Sequence, residues 1–170
     1  MNKLIGLLAL ICVLSAILHT CQAQQGYMVR ALNLHNQYRR RHHAPALRMD
    51  NQLNSMAVNC ANYYIRRGRN DHSCPFKGSA GENLSGGSGL RDKDQFAVTT
   101  TNMWYDEVKV YNYNRPGFSL QTGHFTQVVW KSSRNFGFGC AYGNGKTVCA
   151  GLYSPPGNYP GQFRENVLRP

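Results

Sequence analysis

Between Asp50 and Arg67 the apolar positions Leu53, Met56, Ala57, Cys60, Ala61, Tyr64 and Ile65 follow the i, i+3, i+4, i+7 spacing without a miss, which predicts an amphipathic helix. Asp50 suits its N-cap and Gly68 its C-terminal stop, and Arg66 and Arg67 sit where a helix dipole is negative. An earlier helix is expected from about Tyr27 to Arg40, ending before Pro45, and a later one from about Lys93 to Tyr111, with Phe96, Thr100, Met103, Trp104, Val108 and Tyr111 on one face. Glu107 falls on that same apolar face. A carboxylate there is destabilising unless it is partnered or opens into a cleft, so it marks either a buried hydrogen bond or a functional site.

Between these helices, Gly78 to Gly89 reads as a glycine-rich connection. Beyond His124 the pattern changes to strands. Phe125 to Val129 is rich in β-branched and aromatic residues and places His124 at the mouth of a strand. Segments of about Phe136 to Tyr142 and Lys146 to Tyr153 flank Asn144-Gly145, the signature of a two-residue hairpin turn. Ser154 to Gly161, dense in proline and glycine, is an irregular loop. Helices first and strands later predict an α+β domain in which helices cover an antiparallel sheet.

The N-terminus sets the compartment. Lys3, the apolar run Leu4 to Leu18 and the small-x-small site Cys21-Gln22-Ala23 make residues 1–23 a secretory signal peptide. Residues 24–170 are then one exported domain, and no later segment approaches the roughly 20 apolar residues of a membrane span. Cleavage leaves four of the six cysteines, and an even number in an oxidising compartment favours two disulfides. A hairpin turning at Asn144-Gly145 sets Cys140 opposite Cys149 in a non-hydrogen-bonded pair, whose close spacing suits a disulfide. By elimination Cys60 pairs with Cys74.

The formal net charge is +11, with arginines gathered at Arg39-Arg40-Arg41, Arg66-Arg67 and Arg69. That balance invites anionic surfaces such as acidic lipid, microbial envelope or sulfated glycan. Nucleic acid is disfavoured, because no recognition motif accompanies the charge and the chain is exported. Four polar residues stand out as candidate chemistry: His72 beside Cys74, Glu82 in Gly81-Glu82-Asn83-Leu84, Glu107, and His124. The chain has no His-Glu-x-x-His helix, Cys-x-x-Cys knuckle, Gly-x-Ser-x-Gly elbow or phosphate-binding loop, and disulfide pairing removes a thiol nucleophile.

The order of motifs resembles a known family. His35-Asn36-x-x-Arg39, His43-Ala44-Pro45-x-Leu47, Gly81-Glu82-Asn83-Leu84, Trp104-Tyr105-x-Glu107, Gly123-His124-Phe125-Thr126-Gln127-Val128-Val129-Trp130 and Ser154-Pro155-Pro156-Gly157-Asn158-Tyr159 cover nearly the whole mature chain. In that order they are similar to the CAP superfamily of cysteine-rich secretory proteins, antigen 5 venom allergens and plant pathogenesis-related proteins. The segment Tyr111 to Phe118 and the closing Glu165-Asn166-Val167-Leu168 most resemble the Golgi-associated pathogenesis-related branch. Unlike that cytosol-facing, myristoylated relative, this chain carries a signal peptide and extra cysteines, so its location is not transferred.

The resemblance implies a three-layer α-β-α sandwich whose cleft gathers two histidines and two glutamates, matching His72, His124, Glu82 and Glu107. In several members the histidines hold a divalent metal, often zinc. Two imidazoles leave coordination positions open, so the expected site is open and weak. His35, His42 and His43 are packing or surface residues on this reading. Members also bind sterols and fatty acids, with the sterol site in the loop matching Tyr111, Tyr113, Pro116, Gly117 and Phe118. The sequence therefore points to a secreted, non-enzymatic sterol- or lipid-binding protein with a metal-capable cleft, in defence, secretion or reproduction. The alternatives are a zinc-dependent hydrolase with Glu82 or Glu107 as general base, and a basic toxin-like or antimicrobial surface.

Overall fold

The computed structural model describes residues 26–89 and 92–170. The signal-peptide expectation for residues 1–23 lies outside them.

Helix α1 spans residues 26–41, and α2 spans Asn51–Arg67. Both ends of α2 are as expected: the Asp50 side chain accepts from Leu53 N, and Gly68, at φ 70°, donates its N–H to the Tyr64 carbonyl. Strand β1 is the two-residue segment Arg48–Met49, followed after α2 by a 3-10 turn at Pro75–Lys77. Then come β2 (Gly81–Ser88), α3 (Lys93–Asp106), a 3-10 turn (Glu107–Val110), α4 (Gly123–Val129), β3 (Asn135–Gly143), β4 (Lys146–Ser154) and the short α5 (Phe163–Asn166).

The sheet runs in the order β1-β3-β4-β2. The β3–β4 hairpin turns at Asn144 (φ 53°) and Gly145 (φ 73°), as its Asn-Gly pair requires, and places Cys140 opposite Cys149. These two are disulfide-bonded at a Cα separation of 4.1 Å, and Cys60–Cys74 is the second disulfide at 5.4 Å. The sheet is mixed rather than purely antiparallel, because β1 pairs with β3 in parallel.

Alternation along β3 and β4 separates two cores. Phe136, Phe138, Cys140, Cys149 and Tyr153 join Tyr27, Met28 and Ala31 of α1, Phe96 and Trp104 of α3, and Phe125 and Val128 of α4. On the opposite face Val148, Ala150 and Leu152 pack with Leu53, Ala57, Cys60 and Tyr64 of α2. The result is an α-β-α sandwich. Gly137 and Gly139 let α2 lie directly on β3, since a Cβ at either would fall 2.2 Å from α2 backbone, at Leu53 and Val58 respectively.

Two elements differ from the sequence expectation. Gly78 to Gly89 is not a connection: Gly81 to Ser88 pair along their whole length with β4. Its glycines hide the strand signal, and backbone pairing supplies the order that side chains do not. Phe125 to Val129 is not a strand but the core of α4, with every residue from Phe125 to Val129 buried. A helix buried on all sides shows no 3.6-residue alternation, so local composition misleads. Charges at its two ends hold it: Glu107 Oε2 accepts from His124 N (2.9 Å) and Phe125 N (3.0 Å), while Arg39 Nη1 donates to the carbonyls of Val128 (3.0 Å) and Trp130 (2.8 Å).

Two stability predictions arise here. The Cys60–Cys74 bridge closes a short loop, and replacing both cysteines by serine should cost about 3 kcal/mol in urea unfolding. His35 is fully buried, with Nδ1 against the Ala31 carbonyl (2.7 Å) and Nε2 against the Tyr153 hydroxyl (2.8 Å), and burial lowers its pKa from 6.5 to about 3. Below pH 6.5 the unfolded chain takes a proton that the folded chain refuses. The His35 contribution is thus whole above that pH and is lost as pH falls toward 3, at about 1.4 kcal/mol per pH unit. Unfolding of the wild type and His35→Gln between pH 7 and 4 checks this, with a shallower acid slope expected in the variant.

Candidate functional site

Glu82, second residue of β2, has a side chain only 1 % exposed. Burial of a carboxylate demands partners, and it has three. Tyr64 of α2 donates to Oε2 at 3.0 Å and to Oε1 at 3.2 Å, His72 Nδ1 lies 2.8 Å from Oε2, and Lys77 Nζ reaches the same oxygen at 3.3 Å. The Tyr64 hydroxyl also accepts the Cys74 N–H at 2.9 Å, and burial pushes its pKa up. The Cys60–Cys74 bridge therefore anchors the segment that carries His72. That histidine itself takes a left-handed φ of 59° and leaves half its side chain exposed.

A matching pair stands across the cleft. Glu107 opens the 3-10 turn after α3, where its Oε1 lies 2.6 Å from His124 Nδ1 while Oε2 caps α4. The His124 ring stacks on Trp104 at a centroid distance of 6.1 Å. Its carbonyl accepts Asn83 Nδ2 at 3.0 Å, and that amide also reaches the Tyr153 hydroxyl at 3.2 Å, continuing to His35. Asn83 is buried by this network, which takes the Asn83-Leu84-Ser85 sequon out of reach of a glycan. His72, Glu82, Asn83 and His124 line one cavity of about 260 Å³, with Phe118 and Leu120 at its edge. Glu107 stands behind His124 rather than on the cavity wall.

In both pairs Nδ1 faces a carboxylate, which leaves Nε2 as the free nitrogen. This is the arrangement in which carboxylates orient and enrich metal-binding imidazoles. Each histidine thus presents an Nε2 that a carboxylate on Nδ1 would make a better donor, and both residues line the same cavity. Among the described residues no group of three ligating side chains within 4.8 Å of one another includes His72 or His124. The one group of three within 4.8 Å is Cys60, Cys74 and Glu82, and its sulfurs are committed to a disulfide.

The profile of the cysteine-rich secretory protein family matches residues 32–153. The chain belongs to that family, the CAP family. Golgi-associated plant pathogenesis-related protein 1 of Homo sapiens is 36 % identical over 152 residues, covering 87 % of this chain and 96 % of the relative. Pathogenesis-related protein 1 of Arabidopsis thaliana is 36 % identical over 162 residues, covering 94 % and 92 %. Among solved structures, NaASP2 with Zn2+ superposes with a TM-score of 0.66 at 19 % identity, covering 87 % of each chain, which supports the CAP fold.

The CAP loop expected to meet lipid divides in two. Tyr111 is buried and Tyr113 half-buried, both packed on Phe125 at centroid distances of 5.4 and 6.5 Å. Tyr111 belongs to the core, and Tyr113 packs against it. Pro116, Gly117 and Phe118 instead line a second cavity of about 390 Å³ with Pro160, Gly161, Phe163 and Arg164. The Tyr113 hydroxyl is buried without a hydrogen-bond partner among the described residues, and burial pushes its pKa up to about 12.

Sequence reasoning missed Tyr64 and Lys77 as site residues. Tyr64 was counted only as apolar periodicity, and its hydroxyl at the end of that face was the signal. Among the described residues no helix is long and apolar enough to cross a membrane.

Proposed function

We propose that this protein is a non-catalytic CAP-domain binding protein, exported after removal of residues 1–23, that holds a divalent cation in the cleft and a sterol or fatty acid beside it. The observation that carries the reading is the pair of glutamate-backed histidines on the wall of one cavity. Zinc is the natural occupant for imidazole donors, and water would complete its shell, giving the weak, open site that two protein ligands support. The CAP relative named in complex with zinc is consistent with this. The lipid reading rests on the second cavity, where Phe118, Phe163 and two prolines supply apolar walls and Arg164 a cation for a polar head.

Hydrolysis with a glutamate as general base finds less support, because the Glu82 side chain is only 1 % exposed and Glu107 stands behind His124 rather than on the cavity wall. Labelled sterol and labelled fatty acid added to the mature chain test the lipid reading. Saturable binding of either that weakens at least about tenfold in Phe118→Ala is expected. The absence of saturable binding, or binding indifferent to Phe118, would overturn it.

A further inference from the structure

A further cavity lies away from the histidine cleft. It is a groove of about 450 Å³ between the C-terminal end of α2 and the far ends of β2 and β4, where the lining includes Arg69, Asn70, Gly86, Ser88, Asn144 and Lys146. We propose that this groove binds a sulfated oligosaccharide segment.

Charge supplies the first argument. Arg69 and Lys146 stand on opposite walls, and Arg66 and Arg67 occupy the turn of α2 leading to the groove. Lys146 has no carboxylate partner among the described residues, and the Arg69 side chain is 65 % exposed. Among the described residues Asp71 is the acidic group paired with these arginines, engaging Arg69 through Nε and Arg67 through Nη2. The local balance is cationic, and an arginine fork with a lysine suits the oxygens of a sulfate.

The polar lining supplies the second. Asn70, Ser88 and Asn144 bring exposed amides and a hydroxyl, the groups that pair with sugar hydroxyls. Strand β2 is an edge strand, and its peptide groups alternate in direction. Gly89 N–H bonds inward to the Gly145 carbonyl, whereas the Leu84 carbonyl turns outward to accept Trp104 Nε1. By the same alternation Gly86 and Ser88 turn outward along the rim of the groove. The absence of a side chain at Gly86 keeps that rim open; a Cβ there would fall 2.6 Å from the Asn70 amide nitrogen.

Shape and chemistry disfavour a single nucleic acid strand and a bilayer. A single nucleic acid strand is held largely by stacking on exposed aromatic faces, but the Tyr64 ring in the lining is fully buried. A bilayer needs protruding apolar tips, and this surface is concave. The volume falls within the range of small-ligand pockets, about 300–1,000 Å³.

Titration with a size-defined heparin hexasaccharide, followed calorimetrically at low and physiological salt, tests the proposal. The wild type should bind, and Arg69→Ala/Lys146→Ala should weaken binding about tenfold, as should Ser88→Glu, which sets a negative charge on the rim. Arg40→Ala/Arg48→Ala removes the same charge elsewhere on the surface and should cost less than about threefold. Fully desulfated hexasaccharide should bind far more weakly. The proposal is overturned by equal losses in the two double variants, which would mean bulk charge alone, by equal affinity for the desulfated sugar, or by no binding in the wild type. Circular dichroism should show all variants folded, since each substituted side chain is exposed.

Discussion

Arg39→Ala is expected to destabilise the domain by about 3–5 kcal/mol, a large share of the roughly 5–15 kcal/mol that hold a domain folded. Arg39 is fully buried with no carboxylate partner among the described residues, and burial lowers its pKa to about 10. Its guanidinium instead donates to four carbonyls: Pro45 through Nε, Val128 and Trp130 through Nη1, and Ser133 through Nη2. Truncation would strand those acceptors in an environment without water, each at a cost of about 1–3 kcal/mol before relaxation. It would also remove the positive charge at the C-terminal end of α4. Arg39→Lys keeps the charge but not the planar fork, so an intermediate loss is expected. Urea unfolding checks both variants; a loss below about 1 kcal/mol in Arg39→Ala would refute the account of α4.

Glu107→Ala carries the second large effect, on stability and on the cleft together. The carboxylate supplies two backbone caps to α4 and fixes the His124 ring. Losing hydrogen bonds to a charged group at about 1.5–3 kcal/mol each predicts a total near 3–4 kcal/mol, allowing for water entering this part-exposed site. Zinc affinity should fall about 10- to 100-fold, because the imidazole loses its orienting partner. Glu107→Gln retains one acceptor oxygen for the backbone amides and should recover more stability than zinc affinity. Unfolding and zinc titration of the two variants separate these roles. Parallel recovery of both quantities would show that Glu107 acts on the cleft only by holding α4.

The contrast between α2 and α4 shows what sequence can reveal. α2 has one face on the sheet and one in water, so burial writes a 3.6-residue period into its sequence and local residues supply both caps. α4 is buried on all sides and is capped by Glu107 and Arg39, distant in the chain, so nothing local distinguishes it from a strand. Strand β2 failed for a different reason: Gly81, Gly86 and Gly87 carry no side chains to alternate, and its order comes from β4. The hairpin was legible down to its disulfide because turn chemistry fixes register.

The site was legible in part for the same reasons. Glu107 was conspicuous as a carboxylate on an apolar face, and the structure gives it both explanations, a buried hydrogen-bond role and a place behind a cleft histidine. The packing of Tyr111 and Tyr113 was not legible, since an aromatic in a loop reads the same whether it faces solvent or folds back onto Phe125.

The claim that the two glutamate-backed histidines form one cation site is tested most directly by calorimetric zinc titration of the mature protein beside His72→Ala and His124→Ala. The account predicts one zinc per chain in the wild type and loss of that binding in each variant with the fold intact. Zinc binding that survives either substitution unchanged, or no binding in the wild type, would contradict it.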